Sequence, residues 1–463
     1  MLSFVAGFAV LSAVLGASSP ESAVPDVFRN IELQQVIDLT AAYTRESLKV
    51  VAMNIGEEPV REYFLPLTYE DASKLAALEA EDDVGSLRIN EVDSLHDGSN
   101  AYFSVNLRQP VAPGEEIEFT VGRAFIAKTQ PYPRKAEQSE QQLLVYNGSR
   151  TILSPYKSQK QTLTIKTVTQ NIYDVEKDNR QTAKSQQLGG LATFGPFNNV
   201  KPFTRTPLTL QYENPLPQVH FPRLDRKIWI SHWGDAISFD ESYDLQNVGT
   251  ELKGSFSRLD YMRTSDGRAF SLNTAAVRQL MLSVPSPARD MYYVDLVGNV
   301  STSRVQTSAE GTRLEIHPRY PVVGGWHYNF TVGWTNPLGQ FVHKVGPNRY
   351  TAAIPLLTGP EDASYDEVST KIILPEGATN IDFADVYGNS AEVSTVYSYL
   401  DFQGRPALDV VHRKLVTDHR AGLLLVSYDY SLLAALRKPL ILATAVFCVF
   451  VTAFYGSQIN WSL

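Results

Sequence analysis

The chain has 463 residues, with 41 lysines and arginines against 50 aspartates and glutamates and a formal charge of −9. It exceeds the roughly 250–300 residues at which single cores stop growing, so two or more domains are expected, and no long basic run points to a nucleic-acid footprint. The only cysteine, Cys448, lies in an apolar run near the C-terminus, so the rest of the chain offers no thiol for a disulfide, a zinc–thiolate site or a nucleophile.

At the N-terminus, residues 1–17, "MLSFVAGFAVLSAVLGA", form a short apolar stretch followed by Ser18, Ser19 and Pro20. The pattern reads as a secretory signal over residues 1–19, with a retained anchor as the alternative because no basic segment precedes it. "ESLKVVAMNIG" (46–56), "AYFSVNLRQPVAPGEEIEFTVGRAF" (101–125) and "KQTLTIKTVTQ" (160–170) then show β-branched or alternating apolar residues, and Pro113-Gly114 predicts a turn. Later counterparts are "RLEIHPRYPVVGGWHYNFTVGW" (313–334), "STKIILPEGATNIDF" (369–383) and "AGLLLVSYDYS" (421–431). Helical periodicity is scarce: residues 71–84 are the best soluble candidate and 272–284 a second.

"FTVG" occurs at 119–122 and again at 330–333, and a strand ending in "NIG" at 54–56 has a counterpart ending in "NVG" at 247–249. These echoes raise duplication of one β-domain, with chance as the alternative. "YENPLPQVHFPRLD" (212–225) carries three prolines and predicts a stiff connection between β-rich domains at 20–222 and 223–436.

The densest cluster of chemistry-bearing residues is "RKIWISHWGDAISFDESYDL" (226–245). Alternation places Ile228, Ile230 and His232 on one side of an extended chain and Trp229, Ser231 and Trp233 on the other. That describes a buried strand ending at Gly234-Asp235, with Asp240, Glu241 and Asp244 as solvated loop charges rather than an active site.

No H-E-x-x-H, G-x-S-x-G, P-loop or G-x-G-x-x-G motif is present, and the eight histidines show no close metal-ligand pairing. No catalytic, metal or cofactor-binding residue is therefore assigned. Glu81-Asp82-Asp83 reads as an acidic helix end or loop rather than a cation site, and Trp326/Tyr328 as strand core rather than a sugar platform. "YPVVGG" (320–325) reads as a surface loop or, through Gly324-Gly325, a simple turn. Candidate N-glycosylation sites are Asn147, Asn299 and Asn329, with Asn460 a fourth sequon beyond the apolar run.

Residues 439–455 carry no charge over about the minimum length for crossing a bilayer, and every face is apolar, which predicts a transmembrane helix at 437–457 and a short tail at 458–463. Arg437 and Lys438 precede the span and no cation follows it, which by the positive-inside rule alone would leave the bulk of the chain in the cytosol. The signal segment argues the opposite. Large domains translocate largely regardless of flanking charge, so a single-pass type I arrangement is expected.

The run "RKIWISHWGDAISFDESYDLQNVGTELKGSFSRLDYMR" (226–263) closely resembles the ribophorin I family, and so do "YYVDLVGNVSTS" (292–303), "RYPVVGGWHYNFTVGW" (319–334), "KIILPEGA" (371–378) and "KPL" (438–440), in that order. "YPRKAEQSEQQLL" (132–144) and "FGPF" (194–197) look like fungal members of the family, whereas 70–100 is unremarkable. The resemblance implies a noncatalytic subunit of the endoplasmic-reticulum oligosaccharyltransferase, the complex that moves an oligosaccharide from dolichyl diphosphate to asparagine of nascent chains. It implies no cofactor of its own. Its implied partners are a catalytic multi-spanning subunit, other subunits including a small membrane one, nascent polypeptides and the endoplasmic-reticulum membrane. An independent luminal chaperone or cargo receptor is the alternative.

Overall fold

The computed structural model describes residues 24–92, 99–175, 190–259, 261, 275–308, 311–385, 387–398 and 401–458. The signal segment and the tail beyond Gln458, with Asn460, lie outside the described residues. The rest is mainly β, as the alternating apolar pattern predicts, and closes with one long apolar helix, Leu432–Gln458.

The two halves are built on one plan. In the first, the strands Leu191–Val200, Ser158–Lys166, Phe28–Asp38, Thr44–Asn54 and Glu116–Phe125 lie side by side in that order. In the second, Arg405–Val416, Ser364–Ile373, Val219–Ser231, Ala236–Asn247 and His327–Pro337 repeat the order. Each set has the same pairing senses, with one parallel ladder at its centre: Phe28–Asp38 on Ser158–Lys166, and Val219–Ser231 on Ser364–Ile373. Each large sheet is joined by a four-stranded one, Ile172–Asp174, Pro207–Glu213, Leu143–Ser149, Thr129–Pro131 in the first half and Thr379–Asp385, Leu423–Asp429, Arg349–Pro355, Val342–Lys344 in the second.

Both sequence echoes fall on equivalent positions of this plan, and side-chain bonding repeats with them. Asn54 Nδ2 donates to the Val111 carbonyl at 2.8 Å, and Asn247 Nδ2 to that of Val322 at 3.0 Å. Asn54 Oδ1 accepts from the Gly56 amide at 2.8 Å, and Asn247 Oδ1 from that of Gly249 at 3.1 Å. Gly114 and Gly325 each donate to the carbonyl of their asparagine at 2.8 Å, with φ of +77° and +81°. Pro113-Gly114 and Gly324-Gly325 are thus the same turn made twice, and the left-handed φ is why glycine occupies its second position. At Gly324 a Cβ would come within 1.9 Å of the Thr250 carbonyl oxygen, so a side chain is excluded there too.

Among the described residues the halves touch in two regions. One is a short parallel ladder of Lys135–Ala136 with Glu251–Leu252, flanked by Arg134 Nε to Glu251 Oε1 at 2.9 Å and by Gln138 bonded both ways to Ser257. The other is a small apolar cluster of Ala41, Tyr43, Ala124, Ile126 and Val416, rimmed by Arg45 with Asp362 and Asp418, each at 3.2 Å.

Four expectations are corrected. Of the 71–84 segment only residues 71–74 are helical, as the end of the short helix Tyr69–Lys74 capped by Thr68, and Leu75–Asp82 is a strand paired with Glu116–Phe125. Its alanine, leucine and glutamate favour helix intrinsically, and ladder hydrogen bonding in an open sheet position overrides so small a preference. The second helix candidate yields the strand Leu280–Val284 instead, while 272–274 lies outside the described residues. Residues 212–225 are not a linker: strands run to Glu213 and restart at Val219, leaving 214–218 as the connection.

The fourth correction concerns the stretch 226–245. Ala236–Asn247 is a strand whose every second residue is buried, so Asp240 and Asp244 face outward while Glu241 points into the core. There Glu241 Oε1 accepts from Arg226 Nε at 2.7 Å and from Thr358 Oγ1 at 2.5 Å, and its Oε2 accepts from the Tyr243 hydroxyl at 2.5 Å. Both charged side chains are 0% exposed. Arg226 Nη1 continues to the carbonyls of Pro355 and Leu356, tying the eight-stranded sheet to the end of the neighbouring one. Ile228 and Ile230 are buried as the alternation predicts, and Trp233 is not.

Candidate functional site

The three candidate glycosylation sites lie apart. Asn147 is on Leu143–Ser149, Asn299 on the hairpin end Gly298–Asn299 and Asn329 on His327–Pro337, and all three are exposed. The Asn299 hairpin is braced by Arg319, which donates to the Gly298 and Asn299 carbonyls and to Asp295 Oδ2 at 2.5 Å. That guanidinium, with the Tyr328 hydroxyl and two backbone amides, outweighs burial and holds the Asp295 carboxyl down at about 2.

Asn147 also lines the rim of a polar cavity of about 210 Å³ in the first half. Its floor is an ion network. Lys128 Nζ reaches Glu46 Oε1 at 2.8 Å and Asp71 Oδ1 at 3.1 Å, and Arg123 Nη2 reaches Glu46 Oε2 at 3.3 Å. Burial opposes the Lys128 charge, but Glu46, Tyr146 and Asp71 hold the ammonium well above its usual range. These charges neutralise one another, which makes the cavity a structural seam between sheets and supplies no nucleophile–base pair. Glu81 and Asp83 are exposed, and Asp82 is taken by Arg108 at 2.8 Å. Among the described residues no group of three or more histidine, cysteine, aspartate or glutamate side chains is arranged to hold a metal ion. Trp326 packs against the second core, and Tyr328 is buried within it.

A more informative convergence lies where the β-rich part meets the helix. Three segments far apart in sequence meet there. From the turn after Val219–Ser231, the Trp233 indole donates to the Ala435 carbonyl at 2.7 Å, inside the first turns of Leu432–Gln458. After Ser364–Ile373, Glu376 Oε2 stands 3.3 Å from Lys438 Nζ, and its Oε1 accepts from the Phe402 and Gln403 amides at 2.8 Å each. From the loop before Arg405–Val416, Asp401 accepts from Lys438 and Gln403 from Arg437. Gly377 approaches Ala434 so closely that a Cβ would sit 3.0 Å from that methyl group.

The electrostatics of this joint are those of a clamp. Burial pushes the Glu376 and Asp401 carboxyls up, but the Gln403 and Phe402 amides and Lys438 at the first, and Lys438, the Ser398 amide and Arg405 at the second, hold both below their ordinary values. A small cavity of about 110 Å³ lies inside, bounded by His232, Trp233, Glu376, Arg405, Tyr430 and Lys438. Desolvation keeps His232 below its usual range, and its Nε2 pairs with the Tyr428 hydroxyl at 2.9 Å. Nothing in the local sequence signals this site: "SHWG", "KIILPEGA" and "KPL" each read as family strings, and only the chain's path brings them together.

The profile of the ribophorin I family matches residues 28–457. Curated relatives include dolichyl-diphosphooligosaccharide–protein glycosyltransferase subunit 1B of Oryza sativa subsp. japonica, 30% identical over 95% of this chain and 93% of that one. Subunit 1 of Caenorhabditis elegans is 30% identical over 97% of this chain and 75% of its own, and subunit 1A of Arabidopsis thaliana 29% over 93% and 70%. Among solved structures, an M1 zinc metallopeptidase from Deinococcus radiodurans aligns with 46% of this chain and 43% of its own at 10% identity and a TM-score of 0.27, too slight a likeness to carry an argument.

Proposed function

The chain belongs to the ribophorin I family, and on that footing we propose that it is a noncatalytic subunit of the oligosaccharyltransferase, the complex that glycosylates asparagine in Asn-x-Ser/Thr. The observation that carries this reading is a match running through nearly the whole described chain, helix included, together with relatives that are each named as subunit 1 of that enzyme. The helix Leu432–Gln458 is long and apolar enough to cross a membrane. We read it as a single span in the endoplasmic reticulum, with the two duplicated β-domains, meeting at 214–218, in the lumen. Arg437 and Lys438, which by charge alone oppose this orientation, serve the folded joint, since Lys438 is bound by Asp401 and Glu376 and Arg437 donates to Gln403.

In this reading the chain acts by position. Holding acceptor polypeptides beside a separate catalytic subunit raises the effective concentration of their sequons without new chemistry. The clamp fixes the β-domains on the span rather than leaving them on a loose tether. Its partners in this scheme are the multi-spanning catalytic subunit, a small membrane subunit and nascent chains, with no cofactor of its own. Exposed Asn147, Asn299 and Asn329 are the positions at which it would itself carry glycans.

The test is transfer of a lipid-linked oligosaccharide to an Asn-x-Thr peptide by material purified through a tag on this chain in mild detergent. Activity is expected in the large membrane complex and absent from the chain separated from it. Transfer by the isolated chain would overturn the noncatalytic reading, and an inactive monomer with no associated membrane chains would overturn membership of the complex.

A further inference from the structure

Two exposed aromatic side chains stand at the joint without an internal packing role. Trp233 is 62% exposed although its indole N–H is bonded to Ala435, and Phe402 is 58% exposed although both its sequence neighbours are tied to the helix. The uncharged run begins at Pro439. At 1.5 Å per residue, Ala435 stands only about 6 Å along the axis before it, and Arg437 and Lys438 within about 3 Å. Residues bonded to those positions therefore share their depth. On the same turns, Leu433 and Leu440 are 77% and 56% exposed, so the apolar surface continues from the joint along the helix.

We propose that Trp233 and Phe402 form a lipid-facing collar, seated at the boundary between headgroups and acyl chains, that sets the height and tilt of the β-rich part on the membrane. The inference rests on the reading of Leu432–Gln458 as a span. Continuity with that helix selects lipid as the occupant: a side chain held within one helical turn of the first uncharged residue sits in the interfacial layer whatever the rotation of the rest. That layer is where tryptophan is enriched, because its ring is apolar and its N–H polar. Here the N–H is already satisfied by the protein, which fixes the ring in place. Lys438 is neutralised by Asp401 and Glu376 and Arg437 is held by the Gln403 side-chain carbonyl, so the collar acts chiefly through apolar contact, with at most the Arg437 charge left to attract anionic lipid.

The test uses the lone cysteine to advantage. In a Cys448→Ser background of the full chain in phosphatidylcholine nanodiscs, single nitroxide labels are placed by Phe402→Cys, by Phe447→Cys near the middle of the span, and by Val297→Cys. Val297 is 81% exposed, beside the outermost strand at the far edge of the eight-stranded sheet. The expected result is a ratio of oxygen to nickel-chelate accessibility at 402 several-fold above that at 297 and below that at 447. Equality of 402 with 297 while 447 remains deep would overturn the collar and leave the span standing. An aqueous value at 447 would overturn both. Shielding of 402 from both reagents would overturn the lipid assignment in favour of a neighbouring protein chain. Trp233 is read separately by quenching with brominated lipid in a Trp461→Phe chain, where a quenched component that disappears on Trp233→Phe is expected and its absence counts against the collar.

Discussion

The buried pair Arg226–Glu241 yields the sharpest prediction, and the perturbation is Arg226→Met. The substitution removes the 2.7 Å bond to Glu241 and the donors to the Pro355 and Leu356 carbonyls, while Thr358 and Tyr243 still donate to the carboxylate. Leaving one member of a buried pair uncompensated costs about 3–5 kcal/mol. Arg226→Met/Glu241→Leu removes the stranded charge and should recover part of that loss. It should not recover all, because a buried carbonyl deprived of its donor costs about 1–3 kcal/mol. The assay is urea unfolding of the full chain in detergent followed by tryptophan fluorescence. Trp229, Trp233, Trp326 and Trp334 all lie in the second half and no tryptophan precedes them, so in a Trp461→Phe background, which removes the one tryptophan of the tail, the signal isolates that half. With a slope of about 1–3 kcal/mol per molar urea, the single variant should lower the midpoint by more than about 1 M. A midpoint within about 0.3 M of the parent's would refute the reasoning, since on the same slope the loss would then be at most about 1 kcal/mol, against the roughly 3–5 expected.

Three further outcomes are expected. Asn54→Ala removes one accepted bond and two donated ones at the repeated turn, and Asn247→Ala the equivalent three plus a bond accepted from the Gln218 amide, so each should cost about 2–3 kcal/mol or more in thermal or urea unfolding, with Asn247→Ala no cheaper than Asn54→Ala; a negligible cost at either would count against equivalence of the two turns. The Glu376 and Asp401 carboxyls are held below their ordinary values, so their contribution to the joint is complete above the usual carboxylate range and is lost as pH falls through the depressed folded values. Mobility of a nitroxide at position 402 should therefore rise only in strong acid, and Lys438→Ala should move that rise to higher pH; a mobility independent of pH would contradict the clamp. Asn147→Gln, Asn299→Gln and Asn329→Gln should each abolish one endoglycosidase-sensitive mobility step if the exposed asparagines are occupied in the lumen, whereas Asn460→Gln should change nothing.

The sequence by itself determined the class of fold and the anchor. Alternation of apolar residues is read directly as strands because each strand has one face to bury, and the uncharged run at 439–455 is read as helix because a bilayer leaves few other options. The twin echoes also fall on the repeated plan: 119–122 and 330–333 lie on equivalent strands, and 54–56 and 247–249 carry the asparagine that bridges the same turn in each half. Only the tertiary structure decided the rest. Leu75–Asp82 is a strand because its neighbours offer a ladder, not because of its own residues. Glu241 is a core residue because the strand's period of two points it inward, a signal present in Ile237, Phe239, Tyr243 and Leu245 but masked by the acidic residues between them. The joint of Trp233, Glu376, Asp401 and Lys438 was invisible for a simpler reason: its partners come from three segments of the chain, and which surfaces meet is settled by how the sheets pack, not by any local pattern.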